Sequence, residues 1–134
     1  MRKGLDTNVI VYAFDNSDPE KHRRAVVIVK DILAHPENYA IAAQALAEAG
    51  YVIKRKYPAA EETYVRFVEL LRMLIPLRIV PYTVETIIPA AKHRNFWDAL
   101  LAYAYIQNGV ETIITENVED FKDLPIKTEN PFTR

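Results

Sequence analysis

Asp6, Glu48, Asp98 and the acidic loop Glu116-Asn117-Val118-Glu119-Asp120 are the side chains of this sequence whose types and spacing suit chemistry. They offer hard oxygen donors from four distant parts of the chain, and a divalent cation such as Mg2+ or Mn2+ takes ligands of this kind. Each also has a purely local use. Asp6 can bond its own backbone two residues on, and Asn8 can cap the helix that follows. Glu48 can be an ordinary helix-surface residue, although its neighbours in LAEAGYV are mostly core types. Asp98 can close a capping box with Asn95. Cation binding therefore requires a fold that brings these positions to one place. Thiolate chemistry is excluded because the chain has no cysteine, and His22, His35 and His93 show no ligand spacing.

The elements that would position these acids follow from the apolar periodicity. Arg2 to Leu5 reads as a short buried strand that stops at Asp6 and passes through a Thr7-Asn8 turn into the apolar run Val9 to Phe14. Asp18 caps and Pro19 opens an amphipathic helix to about Ala34, with Ala25, Val26, Val29, Ile32 and Leu33 on one face. Tyr39 to Ala42 is a second strand, and Ala43 to Lys56 the helix that carries Glu48. Beyond Pro58 a helix from about Ala60 carries Tyr64, Phe67, Val68, Leu71 and Leu74, until Pro76 stops it. Leu77 to Val80 is a third strand, and Thr83 caps a helix running towards His93 that Pro89 should kink. Asn95-Phe96-Trp97-Asp98 opens a nearly all-apolar helix, Ala99 to Asn108, that Gly109 closes, and Trp97 is assigned to core packing. Thr112 to Thr115 is the fourth strand and Ile126-Lys127 a weak edge strand.

This alternation over residues 1–134 predicts one α/β domain, a doubly wound, mostly parallel sheet of four to five strands with helices on both faces. Ligands bind such sheets at the carboxyl edge of the strands, and Asp6, Glu48, Asp98 and the acidic loop all fall there.

At 134 residues, half of them hydrophobic, the chain can bury its own core. A net charge of −1 excludes a protein that coats nucleic acid through a broad basic face. Three basic clusters remain, Lys21-His22-Arg23-Arg24, Lys54-Arg55-Lys56 and Lys92-His93-Arg94, and each suits a solvated helix face or a helix C-terminus. Lys54, Arg55 and Lys56, on the helix of Glu48, are the first candidates for a rim that grips a polyanion. The N-terminus lacks a secretory pattern and no apolar run reaches membrane-spanning length, so a cytoplasmic protein without membrane contact is expected.

Four segments, LDTNVIVYAFD, IAAQALAEAGYVI, NFWDALLAYAYIQNG and TIITENVEDF, taken in this order and spacing, resemble the PIN-domain nucleases. Within them the chain is similar to the VapC-type toxin ribonucleases of toxin–antitoxin pairs, over almost its whole length. The resemblance implies metal-dependent hydrolysis of RNA phosphodiesters, with Asp6, Glu48 and Asp98 as the acidic core that holds one or two Mg2+ or Mn2+ ions. It implies that the Thr7 and Thr115 hydroxyls position water or phosphate. It also implies a homodimer and a cognate antitoxin whose C-terminal segment lies over the site. Loops of this kind after the fourth strand often carry an Asp, and here Asn117 and Asp120 are expected to act together, with Asp120 supplying the charge and Glu119 facing solvent.

The rival functions lack their residues. A receiver domain needs adjacent acids after the first strand, an Asp after the third and a late Lys, and a haloacid-dehalogenase-like phosphatase needs Asp where this chain has Asn8. A PIN fold that binds RNA or a partner without cutting is the alternative reading.

Overall fold

Parallel strands covered on both faces must be buried along their length, and the inner strands here are short and apolar for that reason. The computed structural model, which describes residues 1–133, has five: β1 (Lys3–Leu5), β2 (Tyr39–Ala42), β3 (Arg78–Val80), β4 (Thr112–Ile114) and β5 (Lys127–Glu129). They form a single sheet in the order β3-β2-β1-β4-β5, and every pairing is parallel. β2 is buried at all four positions, whereas β5 is largely exposed, as its place at the sheet's edge dictates. The fifth strand lies one to two residues beyond the expected Ile126-Lys127.

Six helices flank the sheet: α1 (Thr7–Tyr12), α2 (Pro19–Ala34), α3 (Ala43–Lys56), α4 (Glu61–Met73), α5 (Val84–Ala90) and α6 (Phe96–Gln107). α1 packs against α2 and α3, α3 against α4, and α5 against α6. Asp18 caps α2 by accepting from Lys21 N at 3.2 Å, and Gly109 closes α6 at a φ of +77°, a conformation that costs glycine little. Pro89 falls in the last turn of α5 and so ends the helix instead of kinking it. The carbonyl that Pro89 cannot bond, that of Glu85, accepts from Gln107 Nε2 of α6 at 2.9 Å, so the defect becomes a tie between helices.

One contact sets the edge on which the site stands. A Cβ on Gly4 would lie 2.6 Å from the Tyr105 ring, so only glycine lets that ring cross β1. The buried Tyr105 hydroxyl then donates to the carbonyl of Leu5 and accepts from the amide of Ala42 at 3.0 Å. Tyr105 thereby binds the ends of β1 and β2 together immediately before Asp6 and the start of α3.

Candidate functional site

The strand order reverses at β1: the chain builds outward through β2 and β3 on one side and returns to β4 on the other. A crevice opens between the carboxyl ends of β1 and β4, where Asp6 and Thr115 face each other. The Asp6 amide donates to the carbonyl of Ile114 at 3.0 Å, and Thr115 Oγ1 donates to Asp6 Oδ2 at 2.7 Å. Thr7 N donates to Asp6 Oδ1 at 2.7 Å and Asn8 Nδ2 to Oδ2 at 3.1 Å. Asp6 is thus the residue that caps α1, a role the sequence had suggested for Asn8. The helix begins at Thr7, one residue too early for Asn8 to cap it, and Asn8 instead spans the crevice, accepting from Glu116 N at 3.2 Å. Asp6 is only 7% exposed. Burial pushes its carboxyl above the usual range, the bonds from Thr115, Thr7 and Asn8 act against that, and the charge of Asp120 adds to it.

Asp6 lies in a cleft of about 500 Å3 shared with Glu48, Asp98, Gln44, Trp97 and Asn117. Glu48, on the second turn of α3, is exposed, and its Oε1 accepts from Thr7 Oγ1 at 3.3 Å and from Gln44 Nε2 at 3.2 Å. Asp98 is in the first turn of α6. Asn95, at the cap position, makes no side-chain bond there, so the capping box is not formed. The Asp98 carboxyl is pushed up to about 6, first by burial and then by the negative charges of Asp120, Asp6 and Glu48. Those charges reach Asp98 from three separate elements, so the convergence of acids that the sequence only permits is present in the fold.

The loop after β4 sorts its acids. Asn117 lines the cleft, and its amide donates to Thr115 Oγ1 at 3.0 Å. Asp120, in a single 3-10 turn from Val118 to Phe121, stands outside the cleft wall, yet its charge is felt by both Asp6 and Asp98. Glu119 is exposed and pairs with Lys122 at 3.5 Å. Glu116 turns away, bonded to Lys21 and, at 2.9 Å, to the Tyr12 hydroxyl.

Among the described residues no three carboxylates or imidazoles are already gathered closely enough to form a metal cage. Charge repulsion and neutral donors explain the spread: Asp6 is drawn onto Thr115 and Asn8, and Glu48 onto Thr7 and Gln44. The donors are nevertheless all oxygens, and the negative charges that add to burial in lifting Asp98 are what a cation would relieve. The residues fit a hard divalent ion by donor chemistry.

A family model for the PIN domain matches residues 4–127. The chain belongs to the PIN domain family. No curated protein matches it. Among solved structures, it is similar to the VapBC2 complex of Rickettsia felis bound to a promoter DNA fragment, at 21% identity and a TM-score of 0.64, over 97% of this chain and 98% of that one. It is similar to VapC20 of Mycobacterium tuberculosis, a toxin that cleaves the sarcin-ricin loop, at 15% identity and a TM-score of 0.67, over 90% and 95% of the two chains. It is also similar to a toxin–antitoxin complex from Klebsiella pneumoniae, at 19% identity and a TM-score of 0.63, over 96% and 97%. At these identities the likeness concerns the fold.

This PIN domain has cleft residues that sequence reasoning passed over. Gln44 is 6% exposed and bridges Glu48 to the Trp97 carbonyl, at 3.2 and 3.0 Å. Trp97, expected in the core, is 61% exposed at the cleft. Asp15 is buried at the far end, where it accepts from Ser17 and Tyr57 and lies 3.9 Å from Lys56 Nζ. Of the expected basic rim only Lys56 lines the cleft. Lys54 pairs with Glu61 at 3.0 Å, and Arg55 lies over the Tyr51 ring. No helix among the described residues is long and apolar enough to cross a membrane.

Proposed function

We propose that this PIN domain is a divalent-metal-dependent endoribonuclease that hydrolyses RNA phosphodiester bonds, acting in the cytoplasm as the toxin of a type II toxin–antitoxin pair. The observation that carries this reading is the charge field at Asp98, raised to about 6 by burial and by Asp120, Asp6 and Glu48 around one cleft. Active sites are where burial and like charges are arranged to shift a carboxyl in a cleft.

Asp6, Glu48 and Asp98 are the proposed ligands of Mg2+ or Mn2+, with Asp120 adding charge and Asn117 an amide oxygen. A divalent ion held there would supply Lewis acidity toward water and phosphate. The chain supplies orientation. Thr115, Asn8 and Thr7 engage both oxygens of Asp6, and Gln44 with Thr7 holds Glu48, so these neutral donors set the positions from which the two carboxylates would close on an ion. Asp98, at about 6, is ionised at neutral pH and available as a ligand.

The partner reading rests on the fold relatives, one of which is a toxin–antitoxin complex. A partner Arg or Lys entering the acidic cleft would take the cation's electrostatic place, and a homodimer is part of the same reading. The test incubates purified protein with structured RNA and Mn2+, beside the Asp6→Asn and Asp98→Asn variants. Cleavage by the wild type and its loss in both variants is the expected result; near-wild-type activity in either removes that residue from the site. Co-expression with any small open reading frame that adjoins the gene should give a tight complex. If nothing co-purifies and overexpression leaves growth unchanged, the toxin reading fails while the nuclease reading stands.

A further inference from the structure

Trp97 is the chain's single tryptophan, and it stands 61% exposed at the cleft, in the first turn of α6 and next in sequence to Asp98. Its placement is fixed from two sides. Its carbonyl accepts from Gln44 Nε2, the nitrogen that also reaches Glu48 Oε1, so the Trp97 backbone and the Glu48 carboxylate share one donor. The Phe96 ring meets the indole edge to face, with centroids 5.2 Å apart and planes at 81°, and backs it without covering it. Gln44 Oε1 is buried without a hydrogen-bond partner.

The cleft holds Asp6, Glu48, Asp98, Asp15 and Asp18, and the chain as a whole is at −1. A polyanion therefore gains little here from charge alone, and a neutral contact must supply part of its affinity. Every nucleobase has a π-face that stacks on an indole whatever its sequence, but in a duplex both faces are already taken by neighbouring bases. A supported, half-open indole beside the acids is suited to an unpaired base.

We propose that Trp97 is a stacking platform for an unpaired nucleobase next to the phosphate that is cut. The cut phosphate rests on the nuclease reading above; the stacking itself does not. Trp97 acts by positioning the strand against Asp98 and Glu48, with Gln44 linking the platform to the acids.

The single tryptophan gives a direct readout without turnover. In EDTA, Trp97 emission is followed while a short unstructured oligoribonucleotide, or the same strand annealed into a blunt duplex, is added. The single strand should quench the emission and the duplex should do so at least about tenfold more weakly, given a stacking contribution of about 1–3 kcal/mol per base. Anisotropy of a labelled strand should show Trp97→Ala binding about tenfold or more weakly, with Trp97→Phe restoring most of the loss. With Mn2+, Trp97→Ala should raise KM more than it lowers kcat. Equal quenching by strand and duplex, emission unmoved by RNA, or wild-type affinity in Trp97→Ala overturns the proposal. So does a blue shift on concentrating the protein alone, which would place the indole between two copies. Quenching without cleavage under any metal sinks the nuclease reading and leaves the platform; cleavage without quenching does the reverse.

Discussion

Asp98→Asn should make the metal-free protein more stable at pH 8 while abolishing its cleavage. The Asp98 carboxyl stands at about 6 against an ordinary value of 3.8. At 1.36 kcal/mol per unit that shift corresponds to about 3 kcal/mol as an upper bound. The carboxylate is half-buried and water screens it, which reduces the figure to about 1–1.5 kcal/mol. Neutralising Asp98 also forfeits the favourable contact of a carboxylate with the N-terminus of α6, about 0.3–1 kcal/mol. The net gain then lies between zero and about 1.2 kcal/mol, a rise in Tm of up to roughly 5 °C for a chain of this size. Its pH dependence has a definite sign. The folded state binds the Asp98 proton more tightly than the unfolded state, so wild-type stability falls as pH rises between 3.8 and about 6. The gap between variant and wild type should be absent at pH 3.5, open across that window and stay level above it. Mn2+ should reverse the order, stabilising the wild type by about 2.7 kcal/mol at a hundred times its Kd and the variant by less. Calorimetry in EDTA from pH 3.5 to 8 is the measurement. A lower Tm for Asp98→Asn at pH 8, or a gap that ignores pH, would refute the reasoning and leave Asp98 a structural residue.

Three further outcomes are expected. In a metal titration of cleavage, Asp120→Asn should raise the Mn2+ needed for half-maximal rate by more than Asn117→Ala does; an unchanged requirement takes Asp120 out of the site. Gly4→Ala puts a methyl 2.6 Å from the Tyr105 ring and should destabilise the fold by about 1–3 kcal/mol. Wild-type melting in that variant would show that the ring is free to move. Asp15 is held below the usual carboxylate range, chiefly by bonds from Ser17 and then from Tyr57, so it contributes stability above 3.8 that is lost as pH falls through its folded value. Asp15→Asn should cost about 1.5–3 kcal/mol at pH 7, and the cost should shrink as pH is taken below 3.8; a cost that does not change on acidification would reject the charge argument.

Much of the fold was legible because this sequence punctuates itself. Asp18-Pro19, Pro36, Pro58, Pro76 and Gly109 bracket the elements, and Tyr39 to Ala42 and Ala43 to Lys56 fall where the apolar pattern sets them. What escaped depends on contacts between distant residues. Asp6 and Asn8 can each cap a helix, and only Thr115, more than a hundred residues away, decides the matter by engaging both. Trp97 has a core residue's composition, but the first turn of α6 opens on the cleft. The basic clusters look alike in sequence and differ in their partners: Glu61 takes Lys54, Glu116 takes Lys21, and Asp15 lies against Lys56.

The same contrast explains why some acids near the cleft suit a cation and others do not. Glu116 is paired with Lys21, and Asp15 accepts three hydrogen bonds with Lys56 nearby, so their charges are already answered. Asp6 and Glu48 are held by Thr7, Asn8, Thr115 and Gln44, whose hydroxyls and amides direct a carboxylate without cancelling its charge. A cationic partner in the place of these donors would cancel the charge it engaged and remove the attraction for a metal. Neutral donors around unneutralised acids keep the oxygens oriented and leave the negative potential in place. The repulsion that remains adds to burial in lifting Asp98, and a bound cation would convert it into attraction. Composition alone gives such neutral residues little signal, since Thr, Asn and Gln serve most often on surfaces and in turns, and Gln44 was passed over for that reason. The acids reveal where a site can be, and the residues between them determine whether its charge stays available.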